Sequence, residues 1–287
     1  MAPELLSPAK INLILSVVGR RPDGYHELAT LMACIDLYDR IALDYTGGDI
    51  RLRCNVPGLP QDESNLAFRA ARFFQKAYLR KRGVAPFKGL SIRLNKTIPA
   101  GAGLGGGSSN AATVLKALNE HVTQPLPSDE MGRLALQLGA DVPFFLDGRP
   151  SLATGIGEQL TPWPGLTPYA LLIVFPGRGL ATAEVYGALN LRLTKCEKKL
   201  KGFPLKRGSF DAGVHLCNDL ESVALQLCPD IAVIKNELIR SGAQGALMSG
   251  SGSSVFGVFA SADEARKARQ RLTMCAEWQV FQASLIV

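Results

Sequence analysis

Residues 9–18, "AKINLILSVV", alternate with a period of two that places Ile11, Leu13, Leu15 and Val17 on one face and predicts a strand. "GRRPDGYHEL" then carries turn chemistry, because Pro22 presets its φ and Asp23-Gly24 suits a tight reversal. "ATLMACIDLYDRIALDY" (29–45) reads as returning β-structure. In "ESNLAFRAARFFQKAYLRKRG" (63–83) the spacing becomes helical, with Ser64 or Asn65 near the start and Gly83 at the stop. "GLSIRLNKTIP" (89–99) is a strand that feeds a glycine-rich run, and "SSNAATVLKALNEHV" (108–122) is a helix with apolar spacing at Ala111, Val114, Leu115 and Leu118. "SDEMGRLALQLG" is a second helix, with Ser128 as its N-cap and Gly139 past its end. "ADVPFF" (140–145) is expected to be a loop, followed by two strand-like pieces around "RPSLATGIGEQLTPW".

The second half predicts a strand at "YALLIVFPG", a helix at "TAEVYGALN", and one or two helices in "NDLESVALQLCPDIAVIKNELIRSG". "GALMSGSGSSVFGVFA" reads as strand, Gly/Ser turn and strand; "ADEARKARQRLT" as a helix; "WQVFQASLIV" as a last strand. The order suggests helices packed on an antiparallel sheet, an α+β arrangement. A Pro/Gly-rich passage, "TPWPGLTP" (161–168), marks the expected boundary between domains 1–162 and 163–287.

A chain of 287 residues is comfortable for two domains. The hydrophobic fraction of 47% and charged fraction of 20% are those of a soluble globular protein. Near the N-terminus the apolar stretch is short and interrupted by Asn12 and Ser16, and Arg20-Arg21 follow it instead of preceding it, unlike an export signal. With no run near the ~18 apolar residues of a membrane span, a cytoplasmic protein with no membrane partner is expected. The six cysteines show no C-x-x-C and the three histidines no zinc-ligand spacing, so buried reduced thiols and no dedicated metal site are expected. Of the net charge of +7, the segment 192–207 supplies +6. It reads as a solvated loop that could also steer an anionic ligand. Aromatics are not interleaved with its charges, so no nucleic-acid partner is indicated. Oligomeric state is not legible.

The glycine run "PAGAGLGGGSSN" decides more. It satisfies G-x-G-x-x-G, but the acidic residue about twenty positions on, Glu120, sits at a helix end and not at a strand end, which counts against a dinucleotide fold. No Lys follows as in a Walker loop, and the run enters a helix, unlike a protein-kinase glycine loop. What remains is an anion cradle: glycines bring backbone N–H groups close, and the helix that follows adds its own. Ser108 and Ser109 stand where they could donate to a phosphate or meet its Mg²⁺.

This run, with "SPAKINLILSVVGRRPDGYHEL" before it and "MSGSGSSVFGVF" (248–259) after it, resembles the galactokinase, homoserine kinase, mevalonate kinase and phosphomevalonate kinase (GHMP) superfamily. The pairing of "AKINL…RRPDGYHEL" with "LGADVPFFL" resembles more narrowly the branch that phosphorylates 4-diphosphocytidyl-2-C-methyl-D-erythritol in non-mevalonate isoprenoid precursor synthesis. The resemblance spans the chain. It implies an α+β fold with an N-terminal domain like domain 2 of ribosomal protein S5 and a ferredoxin-like C-terminal domain. It implies ATP as phosphoryl donor, with Mg²⁺, and a small-molecule acceptor bearing a cytidine diphosphate moiety.

Carried over residue by residue, the resemblance makes Asp141 the catalytic carboxylate and Lys10 its partner. Pro99, Ala100, Gly101, Ala102, Gly103, Leu104, Gly105, Gly106, Gly107, Ser108 and Ser109 become the ATP phosphate loop, with Asn65 and Lys96 near the adenosine and Leu66 as apolar packing; Ser109 is a possible Mg²⁺ ligand. Asn12, Tyr25, His26, Thr182 and Tyr186 become substrate-binding residues. Asn65 at a helix start and Lys96 at a strand end also have ordinary structural uses. Tyr186 could equally pack in the core; "GSGSSVFG" (250–257) would set small backbone against the triphosphate or the substrate diphosphate, with a plain hairpin turn as the alternative. The competing functions are another kinase of the superfamily, acting on homoserine or a mevalonate derivative, and a non-catalytic RNA-binding protein.

Overall fold

The computed structural model describes residues 3–191, 194, 196, 210–273 and 277–287. Its elements are β1 (Leu5–Arg20), β2 (His26–Asp44), β3 (Ile50–Cys54), α1 (Leu66–Arg82), β4 (Leu90–Asn95), α2 (Gly106–His121), α3 (Ser128–Leu138), α4 (Val142–Asp147), β5 (Ser151–Gly155), β6 (Gln159–Pro162) and β7 (Ala170–Phe175). There follow α5 (Thr182–Gly187), α6 (Ala212–His215), β8 (Cys217–Asn218), α7 (Glu221–Leu227), α8 (Asp230–Arg240), β9 (Gly245–Met248), β10 (Val255–Phe259), α9 (Ala262–Leu272) and β11 (Gln279–Ser284).

The chain forms two compact units that interleave along the sequence: one from the N-terminus through Ala9, Tyr38–Ile98 and Gly105–Gly148; the other from Lys10–Leu37, Pro99–Leu104 and Arg149–Val287. The strands β1 and β2 each contribute to both.

In the first unit the far half of β2 pairs antiparallel with β4 (Arg40 opposite Asn95), and β4 pairs parallel with β3. Helices α1 and α2 pack together, burying Ala67, Ala70, Ala71 and Phe74 of one and Ala111, Ala112, Val114, Leu115 and Leu118 of the other. Alanine on both surfaces permits close approach of the helix axes. The predicted limits of α1 hold: Asn65 caps it by accepting from the Ala67 N–H (3.0 Å), and Gly83 ends it at φ 74°.

In the second unit β11, β7, β10 and β9 form an antiparallel sheet in that order. Ile231, Ile234 and Leu238 of α8 share its core with Ala265, Ala268 and Leu272 of α9. The near half of β2 pairs with β5, β5 pairs with β6, and β1 runs parallel to β8, with Ile14 opposite Cys217 and Leu15 opposite Asn218. Pro229 resolves "one or two helices" into two, since proline is tolerated at a helix start and not inside.

Four expectations are corrected. "ADVPFF" is not a loop throughout: α4 spans Val142–Asp147, because Pro143 sits in its first turn, where no N–H is missed, and Gly148 closes it at φ 76°. Ser128 does not cap α3; the cap position is Pro127 in extended backbone, with no side-chain cap bond. Helix α2 begins at Gly106, two residues before the predicted start. Finally, Cys196 and Cys217 form a disulfide across a Cα separation of 5.7 Å, so the thiols are not all reduced, whereas Cys34, Cys54 and Cys228 take no part in a disulfide and Cys54 is only half-buried. Except for Thr194 and Cys196, the basic segment 192–207 lies outside the described residues, as does Cys275. No helix among the described residues is long and apolar enough to cross a membrane.

Candidate active site

The glycine run has the backbone that an anion cradle requires. Gly101, Gly103 and Gly105 take φ of 65°, 76° and 68°, separated by Ala102 and Leu104, whose small and apolar side chains are buried. Left-handed residues alternating in this way turn successive N–H groups toward one side. In the first unit, the first-turn amides of α2 lack helical partners. Glycine is required for a second reason at position 103, where a Cβ would fall 2.1 Å from the Ser249 carbonyl oxygen.

In the second unit the loop's carbonyls are held by the protein. Gly101 O accepts from the Leu180 N–H (3.3 Å), Ala102 O from the Ser254 N–H (3.1 Å), Gly103 O from the Ser249 hydroxyl (3.0 Å) and Leu104 O from the Lys10 N–H (3.0 Å). Carbonyls fastened inward leave the amides as the groups the loop can offer an anion. The segment Ser249–Ser254 is therefore more than a hairpin turn: it braces the loop. It is held in turn by Asn218, whose amide donates to Met248 O (2.9 Å) and Gly250 O (2.7 Å). A Cβ on Gly250 would stand 3.3 Å from the Lys10 Nζ, so this bend passes beside the Lys10 ammonium.

Strand β1 is buried on both faces, so its alternation hides a polar row: Lys10 and Asn12 are 3% and 2% exposed. Lys10 Nζ donates to Asn12 Oδ1 (2.5 Å), Asn12 Nδ2 donates to Thr30 Oγ1 (2.8 Å), and the Thr30 hydroxyl donates to Ile14 O (2.6 Å). Burying an ammonium is costly without such acceptors.

In the same unit, His26 and Tyr186 face one another with ring centroids 5.2 Å apart and planes tilted by 34°. Burial, with Arg20 nearby, lowers the His26 pKa, favouring the neutral ring that can both donate and accept. Tyr186 also packs partly against the core. The Thr182 and Ser251 hydroxyls are hydrogen bonded at 2.9 Å, and Tyr25 is exposed on the turn, its N–H donating to Asp23.

In the first unit, a buried polar network gathers around Asp39, a residue outside the sequence motifs. Asp39, fully buried, accepts from the N–H groups of Thr97 (2.8 Å) and Ile98 (2.9 Å), from Asn110 Nδ2 (2.9 Å) and from the Lys96 ammonium. Asn110 also donates to the Ser7 hydroxyl (2.9 Å), which donates to Ser109 (2.8 Å). Ser109 is thus fully buried and accepting from Ser7, whereas Ser108 is half-buried and Gly107 exposed. Lys96, beside Gly106, is engaged with Asp39 and Asn110 (3.2 Å), and Asn65 is occupied by its cap and by Pro60 O (2.8 Å). Leu66 packs near Gly107. Asp141 is half-buried at the N-cap position of α4. An aspartate in "IDLYD" carries no sequence signal separating Asp39 from any polar strand residue.

Residues 65–149 match the GHMP kinases N terminal domain and 205–276 the GHMP kinases C terminal domain. The 4-diphosphocytidyl-2-C-methyl-D-erythritol kinase of Syntrophotalea carbinolica is 47% identical over 279 residues, covering 96% of each chain. That of Geobacter metallireducens is 43% identical, covering 99% of this chain and 98% of its own. A crystal structure of a 4-(cytidine 5'-diphospho)-2C-methyl-D-erythritol kinase, 39% identical, covers 99% of both chains with a TM-score of 0.81. The L. major mevalonate kinase shares the fold at 17% identity, with a TM-score of 0.72. Matches in both halves and full-length identity of this order place the chain: it is an ATP-dependent small-molecule kinase and belongs to the 4-diphosphocytidyl-2-C-methyl-D-erythritol kinase family of GHMP kinases.

Proposed function

We propose that this protein transfers the γ-phosphoryl group of ATP to the 2-hydroxyl of 4-diphosphocytidyl-2-C-methyl-D-erythritol. The observation that carries the reading is full-length likeness, at 39% to 47% identity, to proteins named for that substrate. Phosphoryl transfer asks a protein mainly for positioning and charge neutralisation. In this reading the glycine cradle holds the phosphates on its amides, and Mg²⁺ carried by the nucleotide would offset charge on the phosphate oxygens. In this reading Ser108, half-buried, is the hydroxyl that can reach a phosphate oxygen, whereas Ser109 is fully buried and accepts from Ser7.

As the hydroxyl oxygen bonds to the γ-phosphorus and the bond to the bridging oxygen breaks, ADP leaves and the hydroxyl proton passes to Asp141. Lys10 compensates charge on the reacting oxygens. The cytosine is held by His26, whose neutral ring offers one donor and one acceptor, and by the Tyr186 face, with Tyr25 beside it; Thr182 and Asn12 complete the substrate contacts.

Lys10→Ala and Asp141→Asn are each expected to lower turnover by roughly 10²–10⁴ with the fold retained. Steady-state assays with circular dichroism check this, and near-normal turnover in either folded variant removes that residue from the chemistry. Homoserine and mevalonate, offered in place of the cytidine substrate, are expected to leave ATP unconsumed.

A further inference from the structure

The hydrogen bonds that run from Lys10 have a fixed polarity, and its origin is a residue outside every motif. A backbone carbonyl can only accept. Ile14 O therefore takes the single proton of the Thr30 hydroxyl, at 2.6 Å. That leaves Thr30 Oγ1 with lone pairs only toward Asn12, so the end of the Asn12 amide facing it, at 2.8 Å, must be the NH₂. The other end, Oδ1, then faces Lys10 Nζ and accepts from the ammonium. Reversing the Asn12 amide would set two N–H donors against a buried cation. All three side chains are at most 3% exposed, so water cannot readily replace a lost partner.

We infer that Thr30 is a positioning residue for the reaction: it fixes the orientation of the Asn12 amide and, through it, the place of the Lys10 ammonium. The inference rests on the reading of Lys10 given above. Thr30 is well placed for such a role, because β2 is held by β5 at this point (Thr30 opposite Ala153) and the hydroxyl spans from β2 to β1.

The test compares Thr30→Val, which keeps the shape and removes both hydrogen bonds, with Thr30→Ser, which keeps both. The assay uses ATP and the cytidine substrate, with Lys10→Ala alongside and thermal denaturation of each protein. T30V is expected to lose about 10- to 100-fold in kcat, the scale on which misplacing a reacting group is felt, with the KM for ATP within about twofold of wild type. T30S is expected to restore kcat to within about threefold. If T30V does not fold, T30A takes its place in the same comparison. A folded T30V with kcat within threefold of wild type, or a T30S as impaired as T30V, overturns the role of Thr30. If K10A is impaired while T30V is not, Thr30 alone falls. If K10A turns over like wild type, the reading of Lys10 falls and takes the role of Thr30 with it.

Discussion

Neutral imidazole is the form His26 favours, since burial beside Arg20 opposes a second positive charge. The sign of the pH effect follows. A pKa below the ordinary histidine value of about 6.5 keeps the ring uncharged at neutral pH, and acidification through the lowered value removes its acceptor nitrogen. The KM for the cytidine substrate is therefore expected to stay flat from pH 8 to about 6.5 and to rise at lower pH, while His26→Ala shows a raised KM without that bend. A KM in the wild type that bends above pH 7 would contradict the assignment. At this scale the sequence is legible where a residue belongs to a run of motif, as Lys10, Asn12 and His26 do. It is silent on Thr30 and Asp39, because a threonine or aspartate in a strand acquires its partners only when the strands are paired.

Among the elements, β2, β4 and α2 are fastened at one carboxylate. Asp39 on β2 collects the Thr97 and Ile98 amides just beyond β4, the Lys96 ammonium and the Asn110 amide in the first turns of α2. Its removal leaves Lys96, with a side chain only 7% exposed, without its counter-charge. Asp39→Ala is expected to cost roughly 3–5 kcal/mol of stability, and Lys96→Met in the same protein to return part of it. Urea unfolding measures both, and a loss below about 1 kcal/mol would show the network to be dispensable. The elements themselves were legible from period and punctuation, since Asn65, Gly83 and Pro229 act locally. The short α4 was not. Six residues are too few to show a period, and the proline in "ADVPFF" reads as a break unless it is recognised as a first-turn residue.

For the molecule as a whole, linear reading meets two limits. Family signatures are ordered along the chain, with a boundary expected at 162/163, whereas compactness is not, because β1 and β2 each contribute to both units. Likewise, no spacing rule announces a disulfide between cysteines 21 positions apart; their partners are set by β8 lying beside β1 and by Asp219, which accepts from the N–H groups of Cys196 and Val17 (both 3.0 Å). Closing a loop of that length is worth roughly 3 kcal/mol. Reductant is thus expected to lower the Tm by roughly 5–10 °C, and to leave a Cys196→Ser/Cys217→Ser variant unmoved. Equal Tm with and without reductant in the wild type would mean the bond contributes nothing to the folded state.

The measurement that bears most directly on the central claim is phosphorus NMR of the product formed from ATP and 4-diphosphocytidyl-2-C-methyl-D-erythritol. A new phosphomonoester at the 2-oxygen, appearing in step with ADP, is the predicted result. ADP released with free phosphate and no new ester, or phosphate carried to homoserine or mevalonate instead, would contradict it.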